Sequence, residues 1–499
     1  MPFNISIDNV LSILKYNPND PLIFSTSLFL ILFTLFLLVY NLMGKNRSAK
    51  IFLLILFSLY FYYKAAGFYF IILVVSAIAN FLFGKWIAIT ENFTKKRLVL
   101  ILALIVNLGL LGYFKYTNFI IQIINGIGTA KLDPLTIFLP IGISFYTFKS
   151  LNYVFDVYFD TLKPTRSLRD FCLFVFFFPN ILAGPIDRAS EFLPQIDQEP
   201  FLSKEDLGKA LFLIIAGLLK KVVIADYISI NFVDRIFDYP LRYTGIENLL
   251  AIYGYALQIY CDFSGYSDMA IGIALLLGFR LMDNFNSPFK ATSIADFWRR
   301  WHISLSSWLR DYLFKPIQLS LRNLRLFANI IAVVVTFFIC GLWHGAGWNF
   351  ILWGAIHGFM MGFALLIAKP KTKLYNILGI SNTKFLKFFQ VIITFHLVAV
   401  SFLVFRAPNL QTVSEIFSQI FGFFHKEVFI QFVERLPIIF VLIVLGYIFH
   451  FLPVKIEHRV QKMLSDMPLV GKAFLLAVAI WLAVQFKSAD IQPFIYFQF

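Results

Sequence analysis

Charge is scarce in this chain. Asp, Glu, Lys and Arg make up 14% of its 499 residues, where soluble domains carry about one quarter. With 59% hydrophobic residues and a mean hydropathy of +0.77, no stretch is polar enough to build a large soluble domain. The apolar runs are continuous rather than alternating with polar residues, which excludes a transmembrane β-barrel. Cysteine is nearly absent. Cys172, Cys261 and Cys340 lie in or beside apolar runs and read as small core residues, not as disulfides. Residues 1–20 carry Asp8 and Asp20 and lack a basic segment leading into an apolar one, so no cleavable signal peptide is expected. Gly-x-Ser-x-Gly elbows, phosphate-cradling glycine loops and His-Glu-x-x-His zinc motifs are missing too. No bound cofactor and no metal are expected.

What is present is one apolar run after another, starting near Leu22 and ending near residue 486. Helical spans of about 20 residues cross a bilayer, and the runs predict an all-α polytopic membrane protein with eleven to thirteen transmembrane helices in a single domain, 1–499. Some runs, such as 51–63 and 168–183, are short; the first must extend or tilt and the second reads as re-entrant. The 62 Phe residues read as lipid-facing filler. The formal charge of +15 would suggest nucleic acid in a soluble protein. Here the cations sit in short loops between spans, the positive-inside pattern, so the expected partner is membrane lipid and no nucleic acid. Lys45, Arg47 and Lys50 follow the first span, and Lys95, Lys96 and Arg97 follow the third. Both clusters belong on the cytoplasmic side, which puts the N-terminal segment outside.

One segment refuses to be a span. In residues 292–316, Ile294, Trp298, Trp301, Leu305, Trp308 and Tyr312 recur at steps of three and four, one stripe of a helix over about 294–314. Arg299, Arg300, His302 and Arg310 fall mostly elsewhere, and Pro316 ends the segment. Several cations in hydrocarbon are too costly. The helix must lie in the interface, or dip in where protein surrounds it.

Ionisable groups inside apolar runs are functional candidates, and His344 is the sharpest. It stands in the motif at 341–358 beside Trp343, among Gly341, Gly345 and Gly347, with Asn349 and His357 beyond. A buried neutral imidazole accepts a proton from a hydroxyl, and its ordinary pKa of about 6.5 suits a general base. The plainer reading is a hydrogen-bonded core histidine beside a helix break. Thirteen residues of straight helix would separate His344 and His357 by about 20 Å and about 220°. Either the glycines break the helix, or only one of the two is catalytic. Asp262 and the following Gly265–Asp268 form a polar island, either a cavity lining or helix–helix contact.

The blocks FWRRWHISLSSWLRDYLFKPI (297–317) and GLWHGAGWNFILWGAIHG (341–358) resemble the signature pair of the membrane-bound O-acyltransferase family. The stretches at 139–158, 177–196 and 262–279 and the C-terminal PFIYFQF (493–499) are similar to its polysaccharide O-acetyltransferase branch. The chain departs after Pro316, reading Ile-Gln-Leu-Ser where relatives carry a glycine-rich turn. The resemblance implies helices around a central tunnel and an essential role for His344, with His302 and His357 shaping the tunnel. It implies a bacterial inner-membrane protein that passes acetyl groups from cytosolic acetyl-CoA toward a cell-surface polysaccharide of the alginate or peptidoglycan type. Arg299, Arg300 and Arg310 are then candidate contacts for the coenzyme's phosphates, and a periplasmic partner of the SGNH-esterase type completes the transfer. Another acceptor (teichoic acid, lipid or protein) is the alternative within the family. A secondary transporter is the alternative outside it, although the paired broken halves of transporters are not visible here.

Overall fold

The computed structural model describes residues 7–128, 131–381, 383–486 and Phe494. The described residues are mainly helical, and the one strand-like feature among them is an isolated antiparallel bridge between Phe285 and Trp301. Among the described residues, six helical stretches are long and apolar enough to cross a bilayer: Arg47–Ile89, Phe93–Ile127, Leu326–His344, Trp348–Ile377, Lys384–Arg406 and Leu469–Phe486. There are up to seven if Val428–Arg435 and Pro437–Phe451, bent by 96°, make one broken span. The chain is thus an all-α polytopic membrane protein. The larger number of apolar runs in the sequence includes Ser27–Leu42, only 16 residues long. It also includes Gly245–Leu276, 32 residues long but carrying Glu247, Asp262 and Asp268.

Arg47–Ile89 holds 43 residues, about 65 Å of helix against a hydrocarbon layer of about 30 Å. It breaks at Gly67, whose φ of 59° is the left-handed conformation that glycine adopts without penalty. The short run 51–63 extends into the first arm of this stretch, Arg47–Ala66, and the second arm is Phe70–Ile89. At the start of the first arm, Arg47 pairs with Asp197 at 2.7 Å, and Arg169 reaches Ser48 Oγ at 3.1 Å. At its far end, Lys64 Nζ donates to the carbonyls of Ile13 and Lys15 at 2.9 and 2.7 Å. The N-terminal segment and the basic cluster at 45–50 therefore sit at opposite ends of one 20-residue helix. A cysteine placed at position 47, in a background lacking the three native cysteines, is expected to escape a membrane-impermeant maleimide in sealed cells and to react after permeabilisation. Labelling in sealed cells would reverse the orientation.

Gly245–Leu276 is buried along nearly its whole length. It packs on Lys204–Leu218 through glycines: a Cβ on Gly217 would meet the Gly265 carbonyl at 2.5 Å, and one on Gly272 would meet the Ala210 carbonyl at 2.7 Å. Small residues that let backbones touch are how helices associate without a hydrophobic drive. Of the two readings of the Gly265 island, helix contact is the one observed for Gly265.

Phenylalanine has two roles. Phe52, Phe359, Phe363 and Phe388 are exposed along the apolar helices, as lipid-facing residues are. Phe29, Phe33, Phe36, Phe61 and Phe178 instead form a buried stack with ring centroids 5.4–6.4 Å apart, so the filler reading does not cover them. Phe178 lies in an irregular, wholly buried stretch, 177–188, between the helices Leu168–Phe176 and Ala189–Ile196. Such backbone is tolerated at membrane depth when protein surrounds it. Here Ser58 accepts from the Phe178 N–H, Lys149 donates to Asn180, and Asn152 donates to the Asp187 carbonyl.

The amphipathic segment departs from expectation. Residues 294–314 are not one helix. Ile294–Trp298 and Ile303–Leu309 are separate turns, divided at His302, whose φ is 43°. The strand-like segment at 284–286 causes the break. It takes the Ile303 N–H on the Asn284 carbonyl, the Ser304 N–H and hydroxyl on Asn284 Oδ1, and gives the Asn286 N–H to the Arg300 carbonyl. The tryptophan stripe faces protein. Trp308 stacks on Phe148 at 4.0 Å and donates its indole N–H to the Phe148 carbonyl, while Trp298 and Trp301 are also buried.

Candidate active site

The helix Leu326–His344 ends at the histidine itself. Gly345 and Gly347 are extended, and a new helix begins at Trp348. The glycines do break the helix, so His344 and His357 are not stacked along one axis. The two helices run against each other. A Cβ on Gly341 would strike the Phe350 carbonyl, one on Gly354 the Phe337 carbonyl, and one on Gly358 would lie 3.1 Å from Val334 Cα. This close crossing places His344 in an aromatic box, with the rings of Trp343, Trp353 and Phe405 at 5.0, 5.0 and 5.2 Å. The side chain is buried.

His357 packs on the same Trp353, at 4.9 Å. Its Nδ1 accepts from the Trp298 indole N–H at 3.2 Å, and its Nε2 lies 2.9 Å from Ser401 Oγ. Ser401 in turn donates to the Val398 carbonyl at 2.7 Å. Nδ1 is an acceptor and Ser401 spends its hydroxyl hydrogen, so Nε2 carries the proton and donates to Ser401. Both nitrogens of His357 are occupied in one tautomer.

His302, at the left-handed break, sits edge-on to Phe263 at 4.6 Å and 6.1 Å from the Trp343 ring. Burial pushes its imidazole down to about 3, so it is neutral over the physiological range. Trp343 thus stands beside both His302 and His344. Asn349 is not at the imidazole. Its amide donates to the carbonyls of Phe405 and Ala407 at 3.3 Å each, fastening the end of Lys384–Arg406 to the start of Trp348–Ile377.

Sequence reasoning missed two residues. Lys115 Nζ donates to the carbonyls of Trp343 and His344 at 2.6 and 2.8 Å, and Tyr116 Oη donates to Leu342 at 2.6 Å. The terminal carbonyls of a helix have no partner within it; here two consecutive residues of Phe93–Ile127 supply them. Lys115, Trp343 and His344 also line a cavity of about 70 Å³, walled further by residues 139–145 and Leu182. A lysine inside an apolar run meets the criterion that singled out His344.

Asp262 is not brought to the histidines. It binds Lys221 Nζ at 2.6 Å, which also holds Asp226 at 2.7 Å. Lys220 pairs with Asp268 at 2.7 Å. The three arginines do not converge either. Arg299 and Arg300 both pair with Asp296 at 3.4 and 3.2 Å, and Arg310 pairs with Asp311 at 3.0 Å. Among the described residues no three His, Cys, Asp or Glu side chains are grouped to hold a metal ion. The C-terminal stretch 493–499 lies outside the described residues except for Phe494, which packs between Phe263 and Tyr266 at 5.4 and 5.0 Å.

The model of the MBOAT, membrane-bound O-acyltransferase, family matches residues 23–403. A peptidoglycan O-acetyltransferase of Helicobacter pylori is 36% identical over 432 residues, 80% of each chain. A probable alginate O-acetylase AlgI of Pseudomonas aeruginosa is 37% identical over 413 residues, 81% of this chain and 75% of the relative. A teichoic acid D-alanyltransferase of Bacillus subtilis is 31% identical over 274 residues, 53% of this chain and 68% of the relative. The chain is a multi-pass acyltransferase and belongs to the membrane-bound O-acyltransferase family.

Proposed function

We propose that this protein is a bacterial inner-membrane O-acetyltransferase that takes acetyl groups from cytosolic acetyl-CoA and delivers them to the outer face for O-acetylation of a cell-surface polysaccharide. The observation that carries the reading is the position of His344. Asp311 and Tyr312 pair with Arg188 and Asp156, near the end of the molecule where Lys96 meets Asp160. The helix to His344 begins on that basic side, at Leu326, and rises about 27 Å at 1.5 Å per residue. A base at its far end, on a cavity, faces an acceptor that never enters the cytosol. The acceptor hydroxyl gives its proton to the His344 imidazole as its oxygen attacks the thioester carbon. The C–S bond then breaks, and the thiolate takes the proton back, so the imidazole ends neutral. Trp343 and the neutral His302 line the approach and His357 braces the wall. Arg299 and Arg300, both on Asp296, offer their remaining N–H groups to the phosphates of the donor at the cytosolic mouth, and Arg310, apart from them on Asp311, offers a separate contact.

The likeness to alginate and peptidoglycan acetylating proteins favours those glycans; the likeness to the teichoic acid D-alanyltransferase keeps a teichoic acid acceptor as the second reading. The connections between helices are short, and a carbohydrate-binding domain needs on the order of 50–200 residues. The sugar is therefore chosen by a separate extracytoplasmic transferase, of the SGNH-esterase type. Purified protein in liposomes, with labelled acetyl-CoA inside and glycan outside, is expected to leave the glycan unlabelled until that second protein is added. Labelled glycan with no second protein would refute the division of labour. No transfer even with the partner present would refute the donor.

A further inference from the structure

Acyl transfer passes through a tetrahedral intermediate whose former carbonyl oxygen carries a negative charge, and preorganised donors at that oxygen are usually the largest single contribution to the rate. A general base does not supply them. The cavity of about 70 Å³ beside His344 is walled by Lys115 and by Gly142, Ile143 and Ser144, which open the helix Ile143–Tyr158. Gly142 takes a φ of 80°, and a Cβ there would lie 2.7 Å from the Ile181 carbonyl. The helix start is thereby pressed against the buried irregular stretch that contributes Leu182 to the same wall.

The geometry points to Lys115 as a catalytic residue that holds the oxyanion formed beside His344. This rests on the acetyl-transfer reading. A lysine ammonium has three N–H donors. Two go to the carbonyls of Trp343 and His344, which fixes Nζ at the cavity edge and leaves one donor for the reacting oxygen. Those carbonyls end a 19-residue helix, whose negative dipole end favours a cation. The first turn of Ile143–Tyr158 turns its positive end toward the same space. When the acceptor oxygen bonds to the acetyl carbon, the C=O π pair moves onto oxygen and is met by the Lys115 N–H. It returns as the C–S bond breaks, and the proton taken by His344 passes to the departing sulfur.

Two variants test this in inverted membrane vesicles from the native cell, which present the cytosolic face to added acetyl-CoA, with free thiol as the readout. Lys115→Gln keeps two N–H donors for the two carbonyls and removes both the charge and the third donor. Its rate is expected to fall by about 10²–10³-fold, the cost of losing one such donor, with KM for acetyl-CoA unchanged. Lys115→Arg keeps charge and donors in a planar fork instead of a compact ammonium and is expected to stay clearly faster than Lys115→Gln. Lys115→Gln at the wild-type rate overturns the assignment. So does a folded Lys115→Arg as slow as His344→Ala, which decides the matter even if the glutamine variant fails to accumulate. An inactive wild type in these vesicles overturns the donor reading and the assignment with it; an active wild type with an active Lys115→Gln overturns the assignment alone.

Discussion

Replacing His344 with Ala is expected to lower acetyl transfer by about 10²–10⁴-fold, the usual worth of a positioned general base, while the protein still accumulates and folds. The side chain is the last of its helix and packs on Trp343, Trp353 and Phe405. Its loss costs on the order of 0.5–3 kcal/mol, the range of ordinary substitutions, and the glycine crossing and the ties from Lys115 and Tyr116 are main-chain or distant contacts that stay. His344→Gln keeps a polar group of similar reach but no proton acceptor of imidazole basicity, and is expected to fail equally. His357→Ala makes the contrast. It strands the Trp298 indole N–H inside the protein, at a cost of roughly 1–3 kcal/mol, and removes the brace to Ser401. It should lower yield and thermal midpoint and leave the rate per folded molecule well above that of His344→Ala. Acetylation at the wild-type level in either His344 variant would remove the residue from the chemistry. A rate in His357→Ala as low as in His344→Ala would mean that the two act together.

That contrast was half visible in the sequence. The histidines and the glycines between them were legible, and so was the choice between a break and a single catalytic histidine, because a straight helix puts residues thirteen apart on different faces. The partners were not. Trp298 lies 59 positions from His357 and Ser401 lies 44, and nothing in local spacing announces such contacts. The segment 294–314 misled for a different reason. Its apolar period runs on unbroken through His302, with neither glycine nor proline to mark the left-handed residue at φ 43°. Histidine is among the side chains enriched in that region. The break is imposed from outside, by Asn284 and its neighbours taking the backbone donors of Ile303 and Ser304. The stripe is one face, as expected, and of the two surroundings expected for it, lipid interface or enclosing protein, aromatic protein is the one observed.

The buried cations show a second limit. Lysine in a sequence of apolar runs marks the ends of spans well, as Lys45, Lys50, Lys95 and Lys96 do at the first turns of their helices or just before them. The same rule hides Lys115, Lys149 and Lys221, which lie inside helices and find oxygen partners there. Lys149 is fully buried and donates to Asn180 at 2.8 Å, whose amide reaches Asp187 at 2.6 Å. This run shapes the irregular stretch that walls the cavity. A polar residue in an apolar helix signals a tertiary partner, and only the fold says which.

Lys221→Met is expected to give the largest loss of stability, with accumulation in the membrane sharply reduced and the thermal midpoint in detergent lowered by many degrees. The site owes its geometry to a local change of helical pitch. Residues five apart on an α-helix point about 140° away from each other, so Lys221 and Asp226 would not meet. The stretch Leu219–Asp226 is wound as a π-helix, in which residues i and i+5 align, and Nζ reaches Asp226 at 2.7 Å while Asp262 closes from the neighbouring helix at 2.6 Å. The Lys221 and Asp262 side chains are only 4% and 5% exposed. Removing one partner of a buried pair leaves uncompensated charge and costs about 3–5 kcal/mol, and here two carboxylates lose the cation they share. Arg47→Met breaks a pair of equal length whose side chains are 36% and 82% exposed, and that rupture is worth only about 0–1 kcal/mol. Adding Asp226→Asn and Asp262→Asn to Lys221→Met removes the charge from the site and should restore much of the lost yield. A Lys221→Met protein with the midpoint of Arg47→Met would show that this cluster is wetted and not the dry ion site its burial describes.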